Sequence, residues 1–186
     1  YNVAVGWDVG KSITTGVNNT LIGAAAGDAL TTGYGNVAVG YNALSAEDTG
    51  GTNVAIGHAA LQVLDAGANS YSVAVGYDAG KAISTGIRNN IVGGDAGKAI
   101  TTGSYNTVFG SHALLTEDTG SANTAIGYAA LNALNYDGTG YNVAVGHEAG
   151  AVMTTGVQNT LVGGLAGDVL TTGSYNTVLG YTALGT

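Results

Sequence analysis

The chain has 186 residues, 33 of them Gly, with no Pro or Cys, one each of Trp, Phe and Met, and 9% charged side chains. So few large side chains exclude a thick core, and the lack of Cys excludes disulfide staples; small residues must be buried in thin, stacked layers. A net charge of −8, from 12 acids against 4 bases, excludes the basic stripe of a nucleic-acid binder and disfavours anionic lipid, and no run of 18 apolar residues exists to insert into a membrane.

Read in order, the chain repeats itself. An Asn-x-x-x-Gly element starts at Asn2, Asn19, Asn36, Asn53, Ser72, Asn89, Asn106, Asn123, Asn142, Asn159 and Asn176. The steps are 17, 17, 17 and 19 residues, then the same four again, then 17 and 17. Residues 1–186 are therefore one array, with a four-coil unit at 1–70, a second at 71–140 and a partial third at 141–186. The first two units align without a gap at 35 identities, which points to duplication of the block. With no start Met or signal peptide, and opening one residue before a repeat, the chain is expected to be an excerpt from a longer array.

Each coil opens with about five residues of strand character, such as Asn2-Val3-Ala4-Val5-Gly6 or Asn19-Thr20-Leu21-Ile22-Gly23. A turn follows, and then a second short extended piece ending in Thr-Gly, such as Ile13-Thr14-Thr15-Gly16. The pattern predicts an all-β parallel solenoid of eleven coils, each rising about 4.8 Å. The ladder residues Asn2, Asn19, Asn36, Asn53, Asn89, Asn106, Asn123, Asn142, Asn159 and Asn176 are expected to stack and bond up the array. The strand-end Gly fits a positive φ or a close backbone approach. Within each strand the last two residues are apolar, as in Ala4-Val5, Leu21-Ile22, Val108-Phe109 and Leu161-Val162. Both sheet faces are therefore expected to be buried, one inside the coil and one against copies of the same chain.

The segments Asn53-Val54-Ala55-Ile56-Gly57 and Gly40-Tyr41-Asn42-Ala43-Leu44, with Thr49-Gly50, resemble the repeats of trimeric β-roll fibres. These are the heads of trimeric autotransporter adhesins of the YadA type and, more closely, related phage tail-fibre repeats. The resemblance covers all eleven coils and implies a homotrimeric, left-handed parallel β-roll that serves outside the cell as a shaft or a binding surface. The coil length differs: the adhesin repeats are shorter than the 17 or 19 residues found here.

Motifs that carry chemistry are sparse. Gly6-Trp7-Asp8-Val9-Gly10-Lys11-Ser12 has three residues between its glycines where a phosphate loop needs four, and the equivalent segment ends in Ala151 in the third unit. Glu47-Asp48 and Glu117-Asp118 offer oxygen ligands for Ca²⁺ but read as solvated turns. His58, His112 and His147 follow strand-end glycines in different coils, without Cys partners or a nucleophile. No catalytic, cofactor or metal residue is assigned, and the chain is not expected to be an enzyme.

The aromatics Trp7, Tyr41, Tyr77, Tyr128 and Tyr181 all follow a strand-end Gly and are candidates for stacking on host-surface glycans. A second set, Tyr1, Tyr71, Tyr105, Tyr141 and Tyr175, precedes the strands. Thr-Thr-Gly rows are candidates for O-glycosylation or a flat ice-facing row, and Asn18-Asn19-Thr20 is an N-glycan acceptor sequence. The expected function is an extracellular fibre segment of a virion or cell surface. A self-associating trimer or filament would space or present an adhesive tip. Its alternatives are an adhesin whose repeats bind glycan or matrix, and an ice-binding solenoid.

Overall fold

The computed structural model describes residues 1–185. Eleven strands form one parallel sheet in sequence order: β1 Val3–Val5, β2 Thr20–Ile22, β3 Val37–Val39, β4 Val54–Ile56, β5 Val73–Val75, β6 Asn90–Val92, β7 Thr107–Phe109, β8 Thr124–Ile126, β9 Val143–Val145, β10 Thr160–Val162 and β11 Thr177–Leu179. Neighbours pair in register, so Ala4 lies opposite Leu21 and Leu21 opposite Ala38. The chain is a parallel β-solenoid. Among the described residues no helix is long and apolar enough to cross a membrane.

Two expectations about the coil need correction. Each strand has three residues rather than five, and the Thr-Gly segment forms bends rather than a second strand. That segment still bonds from coil to coil, as Thr14 N–H to the Thr31 carbonyl at 3.0 Å and Ser84 N–H to Thr101 at 2.9 Å. Single rungs of this kind make a ladder without the paired pattern of a sheet.

The sheet is buried on its inner face alone. The central strand residue is enclosed in every coil from β2 to β11, whereas the residues on either side of it are exposed or half-exposed. Successive strand side chains point to opposite faces, so the inner face is filled as expected and the outer face, expected to be covered by copies of the chain, is open in the single chain. Two further columns complete the core. One is the Ala series Ala26, Ala43, Ala60, Ala79 and onward; the other runs Leu30, Leu64, Ile83, Ile100, Leu134 and Met153.

Volume matching explains the four-coil unit. Its first two coils carry Gly at Gly10 and Gly27, and its last two carry Leu44 and Leu61 at the equivalent place. A Cβ on Gly27 would lie 2.9 Å from the Leu21 side chain, and one on Gly150 would lie 2.6 Å from Leu161. A large strand-centre residue in the second coil therefore fills the space that two layers of Gly leave open.

The strand-end Gly has a sharper reason. All eleven have φ between 126° and 144°. From Gly6 to Gly163, a Cβ would sit 2.2–2.7 Å from the carbonyl oxygen of the equivalent Gly in the next coil. No side chain fits there.

The Asn ladder works differently from stacked amides alone. Each Oδ1 accepts the backbone N–H of the next ladder residue, at 2.9 Å for Asn19 to Asn2 and 3.0 Å for Asn123 to Asn106. Each regular Nδ2 donates to a Gly carbonyl fourteen residues on, closing its own coil, as Asn36 to Gly50 and Asn106 to Gly120. Direct amide–amide bonds occur too, at 3.2 Å between Asn106 and Asn89. In the 19-residue coils the Gly carbonyl is displaced, and the buried Nδ2 of Asn53 and of Asn123 has no partner.

Candidate functional surface

The residue after each strand-end Gly begins a turn whose next residue has positive φ, Asp8, Asn42 and Asp78 among them. The turn recurs in every coil, so the five candidate aromatics fall in one column. Trp7, Tyr41, Tyr77, Tyr128 and Tyr181 are all exposed. His58 and His147, which also follow strand-end glycines, belong to the same column. His58 stacks between Tyr41 and Tyr77, with ring centroids 5.4 and 5.0 Å apart, and His147 stacks on Tyr128 at 5.2 Å. The sequence placed them after the strand-end Gly, but as scattered His rather than as rungs of the ring column. His112 sits one residue further along and meets Tyr128 edge-on at 5.8 Å.

A groove of about 310 Å³ runs beside this column, lined by His112, Tyr128, Ala129, Asn132, Glu148 and Ala151. An ion cluster adjoins the column at His58. Buried Asp78 accepts from His58 Nδ1 at 3.3 Å and from Lys81 and Lys98 Nζ at 3.1 Å each. Burial opposes its ionisation, but the bonds from Lys98, Lys81 and His58 prevail and hold the carboxyl below the usual range. Hydrogen bonds to Asp95 and Asp78 raise Lys98 in turn. The second aromatic set occupies the other border of the sheet, where Arg88 lies 5.5 Å over the Tyr105 ring and bonds its hydroxyl.

The Glu-Asp turns are not solvated as expected. Glu47 and Glu117 are fully buried and take the core place that Leu30 and Leu64 hold in adjacent coils. Glu47 Oε1 accepts the Gly50 N–H at 2.7 Å and Oε2 that of Ala66 at 3.5 Å; Glu117 does the same with Gly120 and Tyr136. In the first coils of the first two units this Gly amide reaches a carbonyl of the next coil, Gly16 to Thr31 at 3.1 Å and Gly86 to Thr101 at 3.4 Å. The two extra residues of the 19-residue coil remove that carbonyl, and the glutamate replaces it. Burial pushes both carboxyls up, against the backbone bonds that favour the charged form. Glu47, Asp48 and Asp65 bring one oxygen each to within 4.8 Å of one another. The second unit has Asn135 where Asp65 stands, and both Glu47 oxygens already accept N–H bonds.

The Thr rows are partly engaged. Hydroxyls of Thr14, Thr31, Thr101 and Thr154 donate to carbonyls of the next coil, while Thr15 and Thr155 stay exposed. Asn18 of the acceptor sequence is exposed.

Compared with known proteins, the chain matches no family model, no curated protein and no solved structure.

Proposed function

We propose that this chain is a segment of an extracellular structural fibre, built on the plan of the trimeric β-roll repeats that it resembles, in which copies associate through the outer face of the sheet. One observation carries the reading. The third residue of all eleven strands is apolar, from Val5, Ile22 and Val39 to Phe109, Ile126 and Leu179, and this column is open or half-open in the single chain. It runs straight over ten coil steps, about 48 Å, beside a row of Val and Thr. A continuous apolar stripe of that length exceeds what a monomer ordinarily exposes and marks an association surface. A homotrimer places three such stripes around one axis and leaves the turn columns outside.

Mass in solution together with particle images tests the reading. The expected result is three times the chain mass in a rod-shaped particle. A compact monomer at micromolar concentration overturns it.

The second reading, a repeat surface that binds host glycan, is favoured by the exposed aromatic column along the turn edge. Ice binding has less support, because four of the ten Thr-Thr hydroxyls are held in carbonyl bonds and cannot match a water lattice.

A further inference from the structure

The ring column is interrupted at Ala24, Gly94, Ser111 and Gly164: once in the first unit, twice in succession in the second and once in the third. Tyr41 stacks on His58 with one face, so its other face looks toward the coil of Ala24. Tyr77 stacks on the other side of His58, and its free face looks toward Gly94. His147 stacks on Tyr128, and its free face looks toward Gly164. Ala24, Gly94 and Gly164 lie 70 residues apart, in the second coil of each unit. Trp7 lies beyond Ala24 and Tyr181 beyond Gly164, 74% and 77% exposed. Rings one coil apart stack at 5.0–5.4 Å, so the rings on either side of the single missing rungs at Ala24 and Gly164 are about 10 Å apart, whereas Gly94 and Ser111 together leave a wider gap between Tyr77 and Tyr128. Each single gap has room for one further ring.

We propose that each single missing rung, at Ala24 and at Gly164, is a slot for one pyranose ring of a neutral oligosaccharide, a proposal that rests on the glycan-binding reading above. The C–H face of a sugar ring stacks against an aromatic face, and its rim of hydroxyls needs polar partners. Asp28 and Asp168 supply them, at one place in the two coils, where the second unit has Lys98. Contacts among His58, Asp78 and Lys98 put that place beside the ring column, and Asp168 Oδ1 is a buried acceptor without a partner. An aromatic plug from a second copy would match the ring faces but leave these charges against its edge. A nucleobase would bring phosphate to a chain of net charge −8, and an acidic sugar meets the same repulsion.

The test fills the slots. A Cβ on Gly164 would meet the Tyr181 ring at 3.4 Å, an ordinary contact, and Ala24 already carries a Cβ. Ala24→Tyr with Gly164→Tyr therefore fills both slots. Cellotetraose, maltotetraose and tetra-N-acetylchitotetraose are the probes. Calorimetry reads binding, and the emission of Trp7, the chain's one Trp, reads the Ala24 slot. The expected result is saturable binding of at least one probe with a change in Trp7 emission, weakened tenfold or more in the filled variant at unchanged Tm. Equal binding by the filled variant, with loss in Tyr41→Ala plus Tyr181→Ala, overturns the slot and leaves the glycan-binding surface standing. No binding of any probe at millimolar concentration overturns the slot; the surface reading falls only if a broad glycan array is also blank.

Discussion

At the residue scale, two kinds of side chain set the spacing between coils. Strand-end Gly allows backbones to meet where a Cβ would lie 2.2 Å from the next carbonyl, as at Gly57. Gly57→Ala is expected to cost about 2–5 kcal/mol, from overpacking and left-handed strain together. Gly67 has φ +63° but nothing within 4 Å of a Cβ, so Gly67→Ala should cost only the strain, about 1 kcal/mol. Equal losses in chemical denaturation would show that φ, not the close approach, sets the requirement. The ladder Asn gives a second contrast. Asn106 bonds both the Asn123 N–H and the Gly120 carbonyl, and Asn106→Ala leaves both buried groups unpaired, at about 2–5 kcal/mol. Asn53 bonds the Ser72 N–H and the Ser70 hydroxyl through Oδ1, and its Nδ2 bonds nothing. Asn53→Ala should be the milder change, and the reverse order of Tm values would refute the coil-closing role of Nδ2.

At the scale of the element, the 19-residue coil and the buried glutamate form one device. Their carboxyls are raised by burial, and Asp48 and Asp65 near Glu47, with Asp118 near Glu117, push the same way. A raised folded value means that the folded chain holds these protons more tightly than the unfolded one. The stability they contribute is complete below the ordinary Glu value of about 4.3 and is lost as pH rises through the folded value. Asp78, held low, acts in the opposite sense: its contribution is present above the ordinary Asp value and lost as pH falls through the folded one. Glu47→Gln with Glu117→Gln removes the first slope and keeps the second. Tm against pH should therefore rise more steeply from acid to neutral in the variant than in the parent chain, and parallel curves would refute the raised carboxyls. Little of this device was legible in the sequence. Glu-Asp-Thr-Gly has turn composition, and burial of its Glu depends on a carbonyl removed by an insertion in the following coil. The strand, by contrast, was legible in phase and register, because the Asn-x-x-x-Gly spacing is a direct image of the stack. Only its length and the second strand were misjudged, since Thr-Thr-Gly has strand propensity without a paired neighbour to complete a sheet.

At the scale of the whole molecule, stability is a sum over coils and their interfaces, but the interfaces are not interchangeable. The order Gly, Gly, Leu, Leu along one core column works because Leu21, Ile91 and Leu161 each fill two Gly layers. Aromatic candidates were legible as a recurrent place in the coil, but the interruptions in their stack were not, because an absent ring has no motif. Two deletions separate coil number from coil order. Removing Tyr71–Gly140 takes out four coils and joins a fourth coil to a first one, as in the parent array. Removing Asn36–Tyr71 together with Asn106–Tyr141 also takes out four coils, but eliminates Leu44, Leu61, Leu114 and Leu131 and leaves six Gly layers in succession. The second variant keeps the same number of rungs, with Leu21, Ile91 and Leu161, but loses Leu61 and Leu131. Their methyls also reach the Gly80 and Gly150 layers, at 3.2 and 3.0 Å from a Cβ there, and unfilled core costs about 24 cal/mol per Å³ of cavity. It should melt well below the first and expose apolar surface to a dye. Equal melting temperatures would mean that any seven coils stack alike, and that the four-coil unit records duplication rather than packing.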